Sequence, residues 1–203
     1  MLASSTIIED IDALRKAGLA SLGFFYCDFR EDEKKDLRGL LSSFLVQLCH
    51  QSSSYCDMLS IFHSDHANGL RRPSDGALAE CLKDLLKLPG LVPIYLIVDA
   101  LEECPNTSAF RSPRAKVLNF IEELVKSHIP NLHVCVTSRP EPDIKDTLDP
   151  LIFRFVCLHD NRGQKRDIEE FIKSVIYANP ENEWDAKDMQ RVFDVLTERS
   201  EGM

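Results

Sequence analysis

Apolar residues along the chain alternate between two spacings, one typical of helices and one typical of buried strands. Recurrence every three or four positions predicts amphipathic helices at about 4–17, 37–48, 55–62, 78–86, 114–128, 168–176 and 189–196. Short, nearly continuous apolar runs predict buried strands at 22–29, 91–98, 132–137 and 152–158. Strands buried on both faces and separated by helices are typical of βαβ units. The sequence therefore predicts an α/β fold with a parallel sheet covered by helices.

Charge and cysteine content restrict the classes of function. The 24 basic and 33 acidic residues give a net charge of −9, which disfavours binding to nucleic acid or to an anionic membrane surface. No apolar run reaches the ~20 residues that a membrane span needs, and the N-terminus lacks the pattern of a signal peptide. Seven cysteines without a CxxC pair indicate reduced thiols packed as small apolar groups, and not a disulfide framework or a zinc site. We therefore expect a cytoplasmic protein.

The candidate chemistry follows the second and third predicted strands. Asp99, Glu102 and Glu103 come directly after one apolar run, and Arg139 follows the next. Ligands of open parallel sheets collect at the carboxyl ends of the strands, and an aspartate there typically meets a hydrated Mg²⁺ ion. A glutamate a few residues later can act as a general base, and an arginine can bind phosphate. Each acid taken alone could equally be a turn residue that ends a strand.

Several of these segments carry a family resemblance, in order and spacing, across essentially the whole chain. Residues 94–105 (IYLIVDALEECP) and 132–144 (LHVCVTSRPEPDI) resemble the Walker B and sensor 1 segments of NACHT domains, a STAND class of P-loop NTPases. Residues 24–29, 38–48 and 73–75 also match the NACHT pattern. The similarity is to the fungal, nephrocystin-like type found in NOD-like receptors, which often continue into ankyrin or WD repeats.

This resemblance implies roles for the four residues and two cofactors, ATP and Mg²⁺. Asp99 would be the Walker B acid that holds Mg²⁺ through water, and Arg139 the sensor 1 arginine near the γ-phosphate. Glu102 and Glu103 would be the acidic pair that supplies the hydrolytic base. NACHT domains more often have aspartate where Glu102 stands, so the division of roles between the two glutamates is open.

One departure from the NACHT pattern changes the prediction. No G-x-x-x-x-G-K-[ST] phosphate loop occurs in the 203 residues. We therefore interpret 1–160 as an incomplete NACHT core that begins just after the Walker A loop, and 161–203 as the start of the helical region that follows it. The predicted sheet lacks the P-loop strand, whose place in the family is between the third and fourth strands predicted here. Binding of ATP by this chain is expected to be weak or absent, which leaves open whether it is an enzyme.

Two functional hypotheses follow. The first is the core of a NACHT-type ATP-binding switch in a fungal NOD-like receptor or related signalling protein, which oligomerises with itself or with NACHT homologues and is flanked by repeat or effector domains. The second is a non-catalytic interaction module, a P-loop-less paralogue that pairs with intact NACHT proteins. The first needs a phosphate loop to act on nucleotide, whereas the second does not.

Overall fold

The computed structural model describes residues 2–66, 69–88, 92–107, 112–156, 169–176 and 185–200. The chain divides into two compact units, residues 1–152 and 153–203. The described elements of the first unit are α1 (Leu2–Lys16), β1 (Ser21–Tyr26), α2 (Leu37–Cys49), α3 (Ser53–Asp65), α4 (Asp75–Leu86), β2 (Ile94–Asp99), a 3₁₀ turn (Leu101–Glu103), α5 (Pro113–Lys126), β3 (Leu132–Val136), α6 (Pro142–Leu148) and a second 3₁₀ turn (Asp149–Leu151). Those of the second unit are α7 (169–176) and α8 (Ala186–Ser200).

In the described part of the chain, the sheet consists of three parallel strands in the order β1-β2-β3, so β2 is central among them. Tyr26 lies opposite Asp99, and Val98 lies opposite Val136, which brings the carboxyl ends of all three strands to one edge. Because parallel neighbours need crossover connections, helices lie between consecutive strands in the chain. This arrangement confirms the predicted α/β class with helices packed on a parallel sheet.

One face of the sheet packs against helices that share a single apolar core. Buried residues of α2, α4 and α5 join those of the strands in this core. The approach of α2 depends on Gly23, where an added Cβ would lie 3.0 Å from Leu96 Cδ2 and 3.1 Å from Phe44 Cδ1. Side chains alternate between the two faces of a strand, so the buried Leu22 and Ile97 belong to the opposite face. The central strand is thereby buried on both sides.

Two glutamines of the α2 region close the outer edge of β1. Gln47 Oε1 accepts from the Phe24 N–H at 3.0 Å, and Gln47 Nε2 donates to the Phe24 carbonyl at 2.7 Å. Gln51 makes the same pair of bonds with Leu22, at 2.9 and 2.6 Å. Each primary amide therefore takes the place of a residue on a neighbouring strand. The outward-facing backbone groups of Leu22 and Phe24 are satisfied without a further strand, which also hinders pairing with another chain at these two residues.

The helix predictions are confirmed for α1 to α5, and Ser74 caps α4 as expected, since its Oγ accepts from the Ala77 N–H at 3.1 Å. The prediction of a fourth strand is wrong over residues 152–156, which are not in a strand; residues 157 and 158 lie outside the described residues. An apolar run becomes a strand only where a neighbour pairs with it, and no described strand pairs with the outer edge of β3. The predicted boundary between residues 160 and 161 also lies outside the described residues.

Among the described helices, none combines the length and the apolar character that crossing a membrane would require.

Candidate functional site

Asp99 occupies the centre of the carboxyl edge of the sheet. It is the last residue of β2, and only 4% of its surface is exposed. Its carbonyl accepts from the Cys27 N–H at 3.0 Å, just beyond β1, and its Oδ1 accepts a hydrogen bond from the Thr137 hydroxyl, just beyond β3. Asp99 is therefore held by the residues that follow both neighbouring strands.

Thr137 fixes the turn that leaves β2. Its Oγ1 accepts from the Ala100 N–H at 3.1 Å while donating to Asp99, and its carbonyl accepts from the Leu101 N–H at 3.1 Å. Ala100 adopts φ +56°, a left-handed conformation that is uncommon for residues other than glycine. This sharp turn starts the 3₁₀ segment that carries both glutamates over the edge of the sheet.

Glu102 and Arg139 form an ion pair across the ends of β2 and β3. Arg139 Nε lies 3.6 Å from Glu102 Oε1, and 16% of the Glu102 side chain is exposed against 76% of that of Arg139. Glu102 Oε2 is buried and has no hydrogen-bond partner among the described residues. The structure thus places Asp99, Glu102 and Arg139 at one edge of the sheet, and one buried carboxylate oxygen of Glu102 has no partner among the described residues.

Glu103 lies on the side of the edge that faces the β1 loop. It is half-buried, and its negative charge adds to the rise that Asp28 causes in the pKa of Arg30. Asp28 and Arg30 form an exposed bidentate pair at 2.9 Å, and this pairing lowers the pKa of Asp28 to about 2. Glu102 therefore pairs with Arg139, whereas Glu103 acts on Arg30 only through its charge.

A buried arginine holds the loops behind this edge. Arg114 is 5% exposed, and its guanidinium donates to the carbonyls of Glu102 and Cys104, the latter at 3.0 Å. The same guanidinium pairs with the carboxylates of Glu141 and Asp143 in the loop after β3 and at the start of α6. Arg114 thus ties the acidic segment that follows β2 to the segment that follows β3.

Two cysteines pack beneath the acidic segment. Cys27 and Cys104 are buried, and their Sγ atoms are 3.4 Å apart. The contact with Cys104, burial and then the nearby charges of Asp99 and Glu102 raise the pKa of the Cys27 thiol. Burial also raises the pKa of Cys135 on β3, with Asp99 adding to the effect. The contact with Cys27 and the charge of Arg114 instead lower the pKa of Cys104, so the raised values apply to Cys27 and Cys135.

The donor set of the site is suited to one hard cation in a largely hydrated shell. Within the described residues, no group of three or more His, Cys, Asp and Glu side chains converges on a metal position. A buried carboxylate at the end of β2 and an orphaned carboxylate oxygen on Glu102 fit Mg²⁺, which is commonly held by one or two carboxylates together with water and substrate phosphates. The described residues of this edge do not supply the ligand set that a zinc or iron centre would need.

Sequence reasoning did not identify two residues of the site, Thr137 and Arg114. The sequence pattern places Thr137 only at the end of a strand. Its position directly before Ser138 and Arg139 is the signal that could have identified it as a site residue. Arg114 lies three and four residues before the apolar Val117 and Leu118, so helical spacing places it on the buried face of α5. That position would have shown it to be a buried cation, which requires acidic or carbonyl partners.

Comparisons with known proteins give one positive finding. The family model described as nephrocystin 3, N-terminal, matches residues 1–139 of the 203. A search of curated proteins and a search of solved structures each found no match. The matched range includes Asp99, both glutamates and Arg139. Since it covers more than half of the sequence, the chain belongs to the nephrocystin 3 N-terminal family.

Proposed function

We propose that this chain forms the Mg²⁺-binding and γ-phosphate-sensing half of a NACHT-type ATP-binding switch in a NOD-like receptor or related signalling protein of the fungal type. The observation that carries the proposal is the convergence of Asp99, Glu102 and Arg139 at the carboxyl edge of one parallel sheet. Parallel α/β sheets bind their ligands at this edge. The intact switch would act in the cytoplasm and oligomerise with itself or with NACHT homologues, beside repeat or effector domains.

Asp99 is the residue that would hold Mg²⁺. Its carboxylate is buried at the end of the central strand, where an unpaired charge is costly and a hydrated cation would offset that cost. The hydrogen bond from Thr137 fixes the orientation of the carboxylate. When bound, Mg²⁺ would neutralise charge on the β- and γ-phosphates of ATP.

Glu102 is better placed than Glu103 to position the attacking water. Its carboxylate is mostly buried and pairs with Arg139, the arginine assigned to the γ-phosphate, while Oε2 remains without a partner among the described residues. Glu103 instead lies nearer the Arg30 side of the edge. The proposal therefore gives Glu102 the role of general base and Glu103 a supporting electrostatic role.

The open edge of β3 supports the same proposal. The hydrogen bonds between β2 and β3 leave the backbone groups of Val134 and Val136 facing outward, and no described strand pairs with them. The strand that carries the phosphate loop in NACHT domains lies beside the sensor 1 strand, which corresponds to β3. Unlike the β1 edge, where two glutamines bond to the backbone, this edge has no strand partner among the described residues, as acceptance of a parallel strand would require.

A non-catalytic interaction module is the second candidate. It is favoured by one observation, the lack of a G-x-x-x-x-G-K-[ST] loop in a sequence whose acids and arginine are nonetheless arranged as a site. In this case the chain would pair with intact NACHT proteins and turn over no nucleotide of its own. Association with such a protein at micromolar concentration, unchanged in an Asp99→Asn variant, would favour this candidate.

The role of Glu102 can be tested in an extended chain, defined as the 203 residues preceded by a β-strand and a Gly-x-x-x-x-Gly-Lys-Ser loop. Replacing Glu102 with glutamine is expected to lower the rate of ATP hydrolysis at saturating Mg²⁺-ATP by about 10²-fold, since removal of a general base costs 10²–10⁴-fold. Glu103→Gln, the matched control one residue away, is expected to change the rate much less. Single-turnover phosphate release measures both rates.

Two results would contradict the assignment. An equal rate in the Glu102→Gln variant and the parent would remove the general-base role, and a large loss confined to Glu103→Gln would transfer it to the neighbour. Replacement of the loop lysine by alanine serves as the reference for a chain that cannot hold ATP.

A further inference from the structure

We propose that Cys49 and Cys56 form a reversible dithiol–disulfide site at the corner between α2 and α3, with a low-molecular-weight disulfide as the oxidant. Cys49 is the last residue of α2, and Cys56 lies in the first turn of α3. Their Sγ atoms are 2.8 Å apart. An S–S bond is about 2.05 Å long, so its formation requires the two sulfurs to approach by less than about 1 Å.

The two thiols differ in their exposure to solvent, and this difference determines their roles. Cys56 is exposed, and in the thiol form its Sγ also contacts the Cys49 carbonyl at 3.2 Å. Cys49 is half-buried, and its contact with Cys56, together with burial, raises the pKa of the Cys49 thiol to about 11. Cys56 is therefore the attacking thiol and Cys49 the resolving one, because only the thiolate is a nucleophile and the oxidant reaches the exposed sulfur first.

The reaction balances as two exchanges with glutathione disulfide. The Cys56 thiolate attacks one sulfur of glutathione disulfide, the S–S bond breaks, and one glutathione leaves as a thiolate that takes up a proton. Cys49 then loses its proton and attacks Cys56 Sγ, which expels the second glutathione. The protein is oxidised by two electrons, and one glutathione disulfide is reduced to two glutathione molecules.

The other close pair of sulfurs provides an internal contrast. Cys27 and Cys104 are 3.4 Å apart, but they are 5% and 0% exposed. A bulky disulfide cannot reach either thiol in the folded protein. The thiols of Cys27 and Cys104 are thus close together but closed to an oxidant, whereas those of Cys49 and Cys56 are close together and within its reach.

The disulfide between Cys49 and Cys56 would affect the helix segment that bonds to the outer edge of β1. Cys49 lies between Gln47 and Gln51, which hold the backbone of Phe24 and Leu22. A covalent bond from Cys49 to α3 would restrict the movement of this segment. Reduction would release it.

The test is incubation of the folded 203-residue protein with glutathione disulfide, followed by alkylation of free thiols and peptide mass spectrometry. The wild-type protein is expected to yield a Cys49–Cys56 disulfide, with a loss of two hydrogen masses that dithiothreitol reverses. Cys49→Ser removes the resolving thiol, so Cys56 is expected to retain one glutathione. Cys135→Ser, at a half-buried cysteine on β3 outside this corner, is expected to leave the disulfide unchanged.

Two results would overturn the proposal. One is a stable glutathione adduct on Cys56 in the wild type that matches the Cys49→Ser variant, since that would show no resolution by Cys49. The other is a disulfide map in which Cys27–Cys104, or a random mixture of pairs, forms as fast as Cys49–Cys56. Circular dichroism of each variant before oxidation identifies any that fail to fold, and Cys56→Ser provides a second variant in which no disulfide at this corner can form.

Discussion

Arg114→Leu is expected to lower the free energy of unfolding by about 2–4 kcal/mol, because two carbonyls lose their donor and a buried polar group left unsatisfied costs about 1–3 kcal/mol. The guanidinium is nearly inaccessible and meets two carbonyls and two carboxylates. Leucine fills similar space but donates no hydrogen bond, so the carbonyls of Glu102 and Cys104 lose their donor. Glu141 and Asp143 would then repel each other without a cation between them.

Urea denaturation followed by circular dichroism measures this loss. Arg114→Lys retains the positive charge but has no planar fork, so it is expected to recover only part of the stability. Arg15→Leu is the matched control, because Arg15 pairs with Asp12 at the surface of α1 and an exposed pair contributes at most about 1 kcal/mol. If Arg114→Leu lost no more free energy of unfolding than Arg15→Leu, the role of Arg114 in holding the two loops together would be contradicted.

Replacement of the two glutamines that bond to the outer edge of β1 is expected to have the second large effect on the free energy of unfolding. Gln47→Ala leaves the N–H and the carbonyl of Phe24 without partners, and Gln51→Ala does the same to Leu22. A polar group left unsatisfied costs about 1–3 kcal/mol when buried, so each variant is expected to lose about 2 kcal/mol at this partly hydrated edge. The double variant should lose more than either single one.

Hydrogen exchange locates the effect at individual amides. Gln47→Ala should lose protection at the Phe24 amide, and Gln51→Ala at the Leu22 amide, because each glutamine accepts from one of these N–H groups. Gln47→Glu keeps the acceptor for Phe24 N–H but places a carboxylate oxygen against the Phe24 carbonyl, so it should retain some amide protection while losing stability. Gln190→Ala, on the surface of α8, is the control. If the Phe24 amide exchanged hydrogen at the same rate in the parent and in Gln47→Ala, the role of Gln47 at the edge of β1 would be contradicted.

The sequence predicts most of the first unit because its elements have strong local patterns. The helices α1 to α5 carry apolar residues at helical spacing over 12 residues or more, and the three strands are continuous apolar runs bounded by turns. Helix α6 was not predicted, since its seven residues bury only Ile144 and Leu148, too few to establish a period. The predicted strand at 152–158 was wrong over 152–156, because strand formation depends on a pairing partner that is not encoded in the run itself.

The sequence could place residues at the sheet edge where their position follows directly from the end of a strand. Asp99 and Arg139 were predicted as neighbours because they follow two apolar runs, and β2 and β3 do pair in parallel. The partnership of Glu102 with Arg139, and of Glu103 with the Arg30 side, was beyond sequence reasoning, since it depends on the left-handed turn at Ala100. The roles of Thr137 and Arg114 depend on loop contacts across the sheet edge, which no spacing along the chain specifies.

The proposed function requires Asp99 to hold Mg²⁺ beside the phosphates of ATP. The most direct measurement is equilibrium binding of a fluorescent ATP analogue to the extended chain and to its Asp99→Asn variant, each with Mg²⁺ and with a chelator. We expect Mg²⁺ to strengthen binding to the parent at least 10-fold, and to have little effect on Asp99→Asn, because the amide lacks the charge that attracts the cation. Equal strengthening by Mg²⁺ in both proteins would contradict the central claim.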